Sequence, residues 1–235
     1  MVVAFSQRAI AQAGAAGGGM EAKLSALKQS AAENKQKLHQ YQWIETQQVT
    51  YKGEVKPQQT FQCSYGANGQ VVKIPMNSPQ EAQQQQQGRF GRNRQQGALK
   101  ERIVEKKKEE MKDYMEEVKG LLAMYVPPNP QRMQAAFQSK NVSLQKDNGD
   151  GTADIVFNDY AKPGDKMTIG FDTNSKKIST INVNTYLDEP KDGVSLGVQM
   201  ASLPDGTNYT QQSVLNATAK QIQVTTTNSN YVKIR

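Results

Sequence analysis

An α+β protein, with an antiparallel sheet covered on one side by two amphipathic helices, is the fold this sequence predicts. Three observations lead there. Residues 20–41 and 98–125 repeat apolar side chains at steps of three and four, the period of a helix with one buried stripe. Residues 43–76 and the stretch from 141 to the carboxyl terminus alternate with period two between turn residues, the signature of antiparallel strands. Several of these strands keep one face polar, as Thr180, Asn182 and Asn184 do against Ile181 and Val183, so one side of the sheet meets water.

In the first helix, Met20, Leu24, Leu27, Ala31, Leu38 and Tyr41 form the stripe, and Asn34 fills the gap in the series. The period then changes to two: Trp43 to Tyr51 and Val55 to Tyr65 alternate, with Phe61, Cys63 and Tyr65 on one face. Asn68-Gly69 predicts a tight hairpin in which both residues accept positive φ, and Gln70 to Met76 is the return strand, with Val72, Ile74 and Met76 on one side. A second helix runs from Ala98 to Tyr125. Its first half is mostly charged, and its second half presents Met111, Tyr114, Met115, Val118, Leu121, Leu122 and Tyr125 as a broad apolar stripe. Lys106 to Lys108 precede Glu109, Glu110, Glu116 and Glu117, which opposes the helix dipole, so the apolar half is expected to dock while the charged half projects. Pro127, Pro128 and Pro130 end this helix, and a short helical stretch is expected from Gln131 to Phe137. Strands follow at Asn141–Lys146, Thr152–Asn158, Lys166–Asp172, Lys177–Leu187, Val194–Met200, Ser213–Asn216 and Gln221–Thr227, with Tyr231–Ile234 as a last edge. The acidic, glycine-containing segment Asp147–Asp154 places Gly149 where a calcium loop needs an oxygen ligand, so it reads as a turn.

Composition removes whole classes of function. The 235 residues contain one cysteine, Cys63, and one histidine, His39, which excludes an internal disulfide framework and thiolate- or histidine-rich metal sites. No run approaches the roughly 18 apolar residues of a membrane-spanning helix, so no transmembrane segment is expected. No nucleophile, acid–base pair or metal set assembles from the sequence, so the expectation is a protein that is not an enzyme and uses no cofactor.

The net charge of +7 is local. Between Arg89 and Lys108 stand eight basic residues against only Glu101 and Glu105, which accounts for +6 of it. This charge begins in a Gln/Arg-rich tract, residues 79–97, whose composition cannot bury enough surface to offset the entropy of ordering; it reads as a disordered insertion. Arg89, Arg92 and Arg94 would present an anionic surface with positive charge, through residues 83–96. Arg-Phe-Gly-Arg is present as one copy rather than a repeated array, which argues against nucleic acid as the main partner. At the amino terminus, residues 1–19 read either as a disordered Ala/Gly leader or as the remnant of an export signal, because Ala11-Gln12-Ala13 has the form of a signal-peptidase site. Residues 20–235 then form a single domain carrying the insertion.

The order of elements, with Gln42-Trp-Ile-Glu-Thr46 opening the first strand and LLAMYVPP followed by NVSLQKDNGDGTADIVF in the second half, resembles the Lol-type periplasmic lipoprotein carriers. The resemblance covers Lys23–Met76 and Leu121–Tyr186. It implies an incomplete β-barrel, a curved sheet wrapped around the two helices, with room for acyl chains between sheet and helical lid. No individual residue is carried over from that family. The expectation is an exported, periplasmic protein that binds a lipid or lipoprotein acyl chain, or another apolar ligand, without catalysis. The lining expected for such a cavity is Trp43, Phe61, Tyr65, Ile74, Met111, Met115, Val118, Leu122, Phe157, Ile169 and Phe171. The alternative is a cell-envelope interaction protein whose basic loop meets anionic polymer, lipid headgroups or RNA.

Overall fold

The computed structural model describes Ser25, Gln29 and residues 32–76, 94–147, 151–172 and 174–234. Their chain order is α1 (32–38), β1 (Tyr41–Tyr51), β2 (Glu54–Val55), β3 (Gln59–Tyr65), β4 (Val71–Pro75), α2 (Arg94–Leu122), α3 (Pro130–Gln138), β5 (Val142–Asp147), β6 (Thr152–Asn158), β7 (Lys166–Asp172), β8 (Lys177–Tyr186), β9 (Gly193–Ser202), β10 (Asn208–Ala217) and β11 (Ile222–Lys233). The strands form one open, curved antiparallel sheet in the order β4-β3-β1-β11-β10-β9-β8-β7-β6-β5, with β2 beside β1.

The most consequential departure from the sequence reading is β11. The expected end at Thr227, with a separate edge at Tyr231–Ile234, is corrected to one continuous strand in the middle of the sheet. It pairs with β1 from Tyr51↔Ile222 to Tyr41↔Lys233 and with β10 on its other side, so it joins the amino-terminal hairpin to the meander. Thr225 to Asn230 carry no apolar alternation for periodicity to detect; Thr225 to Thr227 pair with both β1 and β10, Asn228 and Ser229 pair with β1, and Asn230 stands at a register shift.

Three boundaries also move. The first helix gives way to strand at Tyr41. The second begins at Arg94, inside the segment assigned to the insertion. The β3–β4 hairpin is wider than a two-residue loop: Gly66 N–H donates to Gln70 O at 2.8 Å, and of the Asn68-Gly69 pair only Gly69 takes positive φ, +72°. Asn68 stays at negative φ because its side chain accepts the Gln70 N–H at 3.0 Å, an Asx turn that leaves the left-handed position to glycine.

The core follows from two periods meeting. Tyr114, Val118 and Leu121 recur at helical spacing on α2 and press, with Tyr125, onto Ile155 and Phe157 of β6, Met167, Ile169 and Phe171 of β7, Ile181 and Val183 of β8, and Val194 and Val198 of β9. The strand residues alternate, so they share one face of the sheet. On α2, Glu105 to Glu110 are all exposed, as the charge pattern requires. Asn129 caps α3 by accepting the N–H groups of Gln131 and Arg132 at 2.9 and 3.1 Å, with Pro130 at the first helical position.

A buried hydrogen-bonded knot locks this end. Asp165, 2% exposed, accepts Tyr125 Oη at 2.5 Å and the backbone N–H groups of Tyr160, Ala161 and Lys162. Tyr125 Oη also meets Thr185 Oγ1 at 2.8 Å. Four donors on one carboxylate offset the cost of burying it, and burial pushes the Tyr125 hydroxyl well above the usual tyrosine range.

At the opposite end of the sheet, β4 is an edge. Thr60 O takes the Met76 N–H and Gly66 N–H reaches Gln70 O, so the backbone groups of Lys73 and Pro75 face away from β3. A lysine and a proline at these positions blunt the edge against pairing with another chain.

Candidate functional site

Register defines what the sheet offers a ligand. On β1, the odd-numbered side chains share one face; Val49 and Tyr51 pack against the core that α2 covers, so Tyr41, Trp43 and Glu45 lie on that same face farther along the strand. Cys63 pairs with Trp43 and Lys73 pairs with Cys63, which brings Phe61, Cys63 and Tyr65 of β3 and Lys73 of β4 onto it as well.

The rings here touch one another. Trp43 stacks on Tyr231 at 5.5 Å between ring centres and 9° between planes, and lies 5.4 Å from Tyr65. Tyr231 also meets Tyr209 at 4.4 Å and Tyr41 edge-on at 6.3 Å. His39, just past α1, stacks on Tyr65 at 4.4 Å. Each ring keeps a polar tip. Trp43 Nε1 donates to Asn228 Oδ1 at 3.0 Å, and Tyr41 Oη donates to Asp205 Oδ2 at 2.7 Å. Glu45, 6% exposed, accepts Lys73 Nζ at 2.5 Å and Gln47 Nε2 at 2.6 Å on Oε1. Burial raises the Tyr231 hydroxyl far above the ordinary tyrosine value, and the neighbouring Tyr65 and Tyr209 hydroxyls add to it. The Cys63 thiol, fully buried, is also pushed up, first by desolvation and then by Glu45, so it is held as a neutral thiol.

Helix α1 docks at this end through Asn34. Its side chain donates to Asn208 O at 2.7 Å and accepts Asn208 N–H at 2.6 Å, copying a strand-to-strand pair with one amide. That is why a polar residue fills the gap in an otherwise apolar stripe.

The eleven residues read as one cavity lining fall into separate groups. Val118, Phe157, Ile169 and Phe171 are at most 2% exposed and belong to the core, with Met111, Met115 and Leu122 packed against it. Trp43 and Tyr65 are in the aromatic cluster. Phe61 is on the same face near the β4 edge, with Lys73 Nζ 5.9 Å from its ring centre. Ile74 is corrected to the other face: it pairs with Gln62, one step out of phase with Cys63, and is 58% exposed. Arg89 and Arg92 lie outside the described residues, as does the leader 1–19; Arg94 opens α2. Sequence reasoning missed Tyr41, Tyr209, Tyr231, Glu45 and Lys73 as members of one site. The available signal was the clustering of tyrosines near both ends of the chain, but only the β1–β11 pairing brings those ends together.

Among the described residues no group of three or more His, Cys, Asp or Glu side chains is placed to hold a metal ion. Nor is any helix among them long and apolar enough to cross a membrane. The fold and site together define an open, mostly β α+β protein with an aromatic cluster on the helix-covered face of its sheet. No family model matches the sequence, and no curated protein is similar to it. Among solved structures, the chain is similar to a DUF1329 family protein from Desulfovibrio piger, at 8% identity and a TM-score of 0.41, over 91% of this chain and 92% of that one.

Proposed function

We propose that this is an exported, non-enzymatic carrier-like protein that holds an acyl chain or comparable apolar ligand on the aromatic end of the sheet, beside α1. The observation that carries this reading is the cluster of Trp43, Tyr65, Tyr209 and Tyr231, joined ring to ring on the face that elsewhere is filled by α2. Rings with few rotamers offer apolar area at small entropic cost: the half-buried Tyr65, Tyr209 and Tyr231 would meet the chain, Trp43 backs them with its indole N–H held by Asn228, and Asp205 holds the adjoining Tyr41 hydroxyl. Each methylene that such a surface buries contributes about 0.8 kcal/mol before the costs of association. The ligand position differs from the sequence expectation, because between α2 and the sheet the protein's own side chains occupy the space.

Trp43 is the single tryptophan of the chain, so its emission reports this site directly. Titration with a brominated fatty acid should quench Trp43 saturably at micromolar concentration, and Tyr231→Ala should weaken that binding about tenfold or more. Absence of saturable quenching by the folded protein at high micromolar concentration overturns the reading.

One observation favours the envelope-interaction alternative: Lys106, Lys107 and Lys108 are exposed on α2, continuing the basic segment that precedes them. Salt separates the two. Contacts with a polyanion weaken steeply as salt rises, whereas quenching of Trp43 by an apolar chain persists.

A further inference from the structure

The turn between β9 and β10 separates the aromatic cluster from a polar groove. On the cluster side, Asp205 holds the Tyr41 hydroxyl and the Tyr209 ring meets Tyr231. On the other side is a groove of about 360 Å³, lined by Glu33, Asn34 and Lys37 of α1, by Lys176 of the β7–β8 turn and Lys177 at the start of β8, and by Gly206. Three ammonium groups thus border one carboxylate, and Glu33 is already engaged by Gln29 Nε2 at 3.0 Å. Asp172, at the base of the same turn, is occupied by the N–H groups of Asn174 and Ser175 and by the Ser175 hydroxyl.

Two features give the groove its shape. Lys177 Nζ is fixed 3.0 Å from Ser202 Oγ. It lies beside Gly206, whose φ of +80° makes the turn and whose missing side chain keeps the floor clear: a Cβ there would sit 3.6 Å from that nitrogen. The opposite wall is α1, anchored through the paired Asn34–Asn208 hydrogen bonds. One turn therefore meets both: Gly206 lines the cationic groove, while its neighbours Asp205 and Tyr209 touch Tyr41 and Tyr231 of the aromatic cluster.

We propose that this groove takes an anionic head group, a phosphate or a carboxylate, of the ligand whose chain lies on the aromatic cluster, so that the substrate class is an anionic single-chain amphiphile. This rests on the carrier reading above. The lysines supply charge-assisted hydrogen bonds to the head, and the rings supply apolar area to the tail.

The test compares dodecyl phosphate, dodecanol and inorganic phosphate on the full chain, wild type and the Lys37→Gln/Lys176→Gln/Lys177→Gln variant, by Trp43 emission and calorimetry. All three lysines are at the surface, so the variant is expected to fold, which its thermal transition checks. Dodecyl phosphate should bind the wild type about tenfold or more tightly than dodecanol. The variant should bind both equally, and raising salt should erase the difference in the wild type. Equal binding of the two chains by the wild type refutes the head-group site while leaving the carrier reading intact. Inorganic phosphate binding as tightly as dodecyl phosphate makes the groove a site for free anions and overturns the amphiphile. Undiminished discrimination in the variant removes the lysines from the site. If neither chain binds, both proposals fall.

Discussion

The two ends of the sheet bury the same face by different chemistry. From β6 to β9 the face is aliphatic with two phenylalanines, interdigitated with α2 and sealed by the Asp165 knot. Around β3, β1 and β11 it is aromatic, and its rings carry tips that reach Asn228 and Asp205 at the rim. The first arrangement gains stability from close packing, where every atom has a neighbour and little can move. The second gains area from flat rings in stacked and tilted contact, whose polar tips also require hydrogen-bond partners. The difference teaches where to look for a ligand surface on this sheet: not where a helix interdigitates with the strands, but where stacked rings are left half-buried.

Truncation should separate the two ends most sharply. Phe157 is fully buried among Tyr160, Ile155 and Met167, so Phe157→Ala should cost about 3–5 kcal/mol, the lost transfer energy plus the cavity left behind. Tyr65 is half-buried and keeps solvent on one side, so Tyr65→Ala should cost on the order of 1–2 kcal/mol while weakening apolar-chain binding. Urea denaturation of both variants measures this. Equal losses would break the contrast and make the aromatic cluster one more piece of core.

A smaller effect asks how rigid the aliphatic end is. Gly170 stands in β7 at a register shift, and a Cβ there would come within 2.4 Å of Thr180 Oγ1 and 2.8 Å of Ser179 Oγ. Thr180 is β-branched and paired with β7 and β9, so its hydroxyl cannot swing aside cheaply, whereas the exposed Ser179 can turn away. Gly170→Ala should therefore lose about 1–3 kcal/mol. Gly197→Ala is the control: its Cβ would meet Asn182 Oδ1 at 3.5 Å, an ordinary contact, and the substitution should be neutral or slightly stabilising. Thermal melts of the two variants decide it, and a harmless Gly170→Ala would mean that this part of the sheet yields.

Much of the aliphatic end was legible in the sequence because its rules are local. Thr152–Asn158 and Lys166–Asp172 follow from alternation alone, and the docking stripe Tyr114–Val118–Leu121–Tyr125 follows from helical spacing. The aromatic end was not, because its site is assembled by pairing residues about 180 positions apart: Trp43 reaches Asn228 and Tyr231 only once β11 lies beside β1. The polar tract from Thr225 to Asn230 carries no periodic signal, and backbone pairing, with β1 as far as Ser229 and with β10 as far as Thr227, needs none. Asn34 is the intermediate case. Its interruption of the stripe was visible, but the reason, a paired hydrogen bond to Asn208, depends on a partner that no local rule names.

The smallest effect concerns the rim of the aromatic end. Asp205 is held down at about 2, first by the Tyr41 hydroxyl and then by the Thr207 N–H, while the same bond raises the Tyr41 hydroxyl. A carboxylate depressed in the folded state adds stability above its unfolded value, about 3.9, and that contribution is lost as pH falls toward 2. The stability that the Tyr41–Asp205 tie contributes should thus decline between about pH 4 and pH 2, and the tie itself should let go only near pH 2, loosening the turn that borders both the rings and the groove. Tyr41→Phe removes the largest cause, so the Asp205 carboxyl should move up toward the ordinary aspartate value, read by carbon-detected NMR titration. A carboxyl that still titrates at about 2 in Tyr41→Phe would assign the depression to the Thr207 backbone instead, and Tyr41 would then contribute its ring to this end of the sheet but not its hydroxyl.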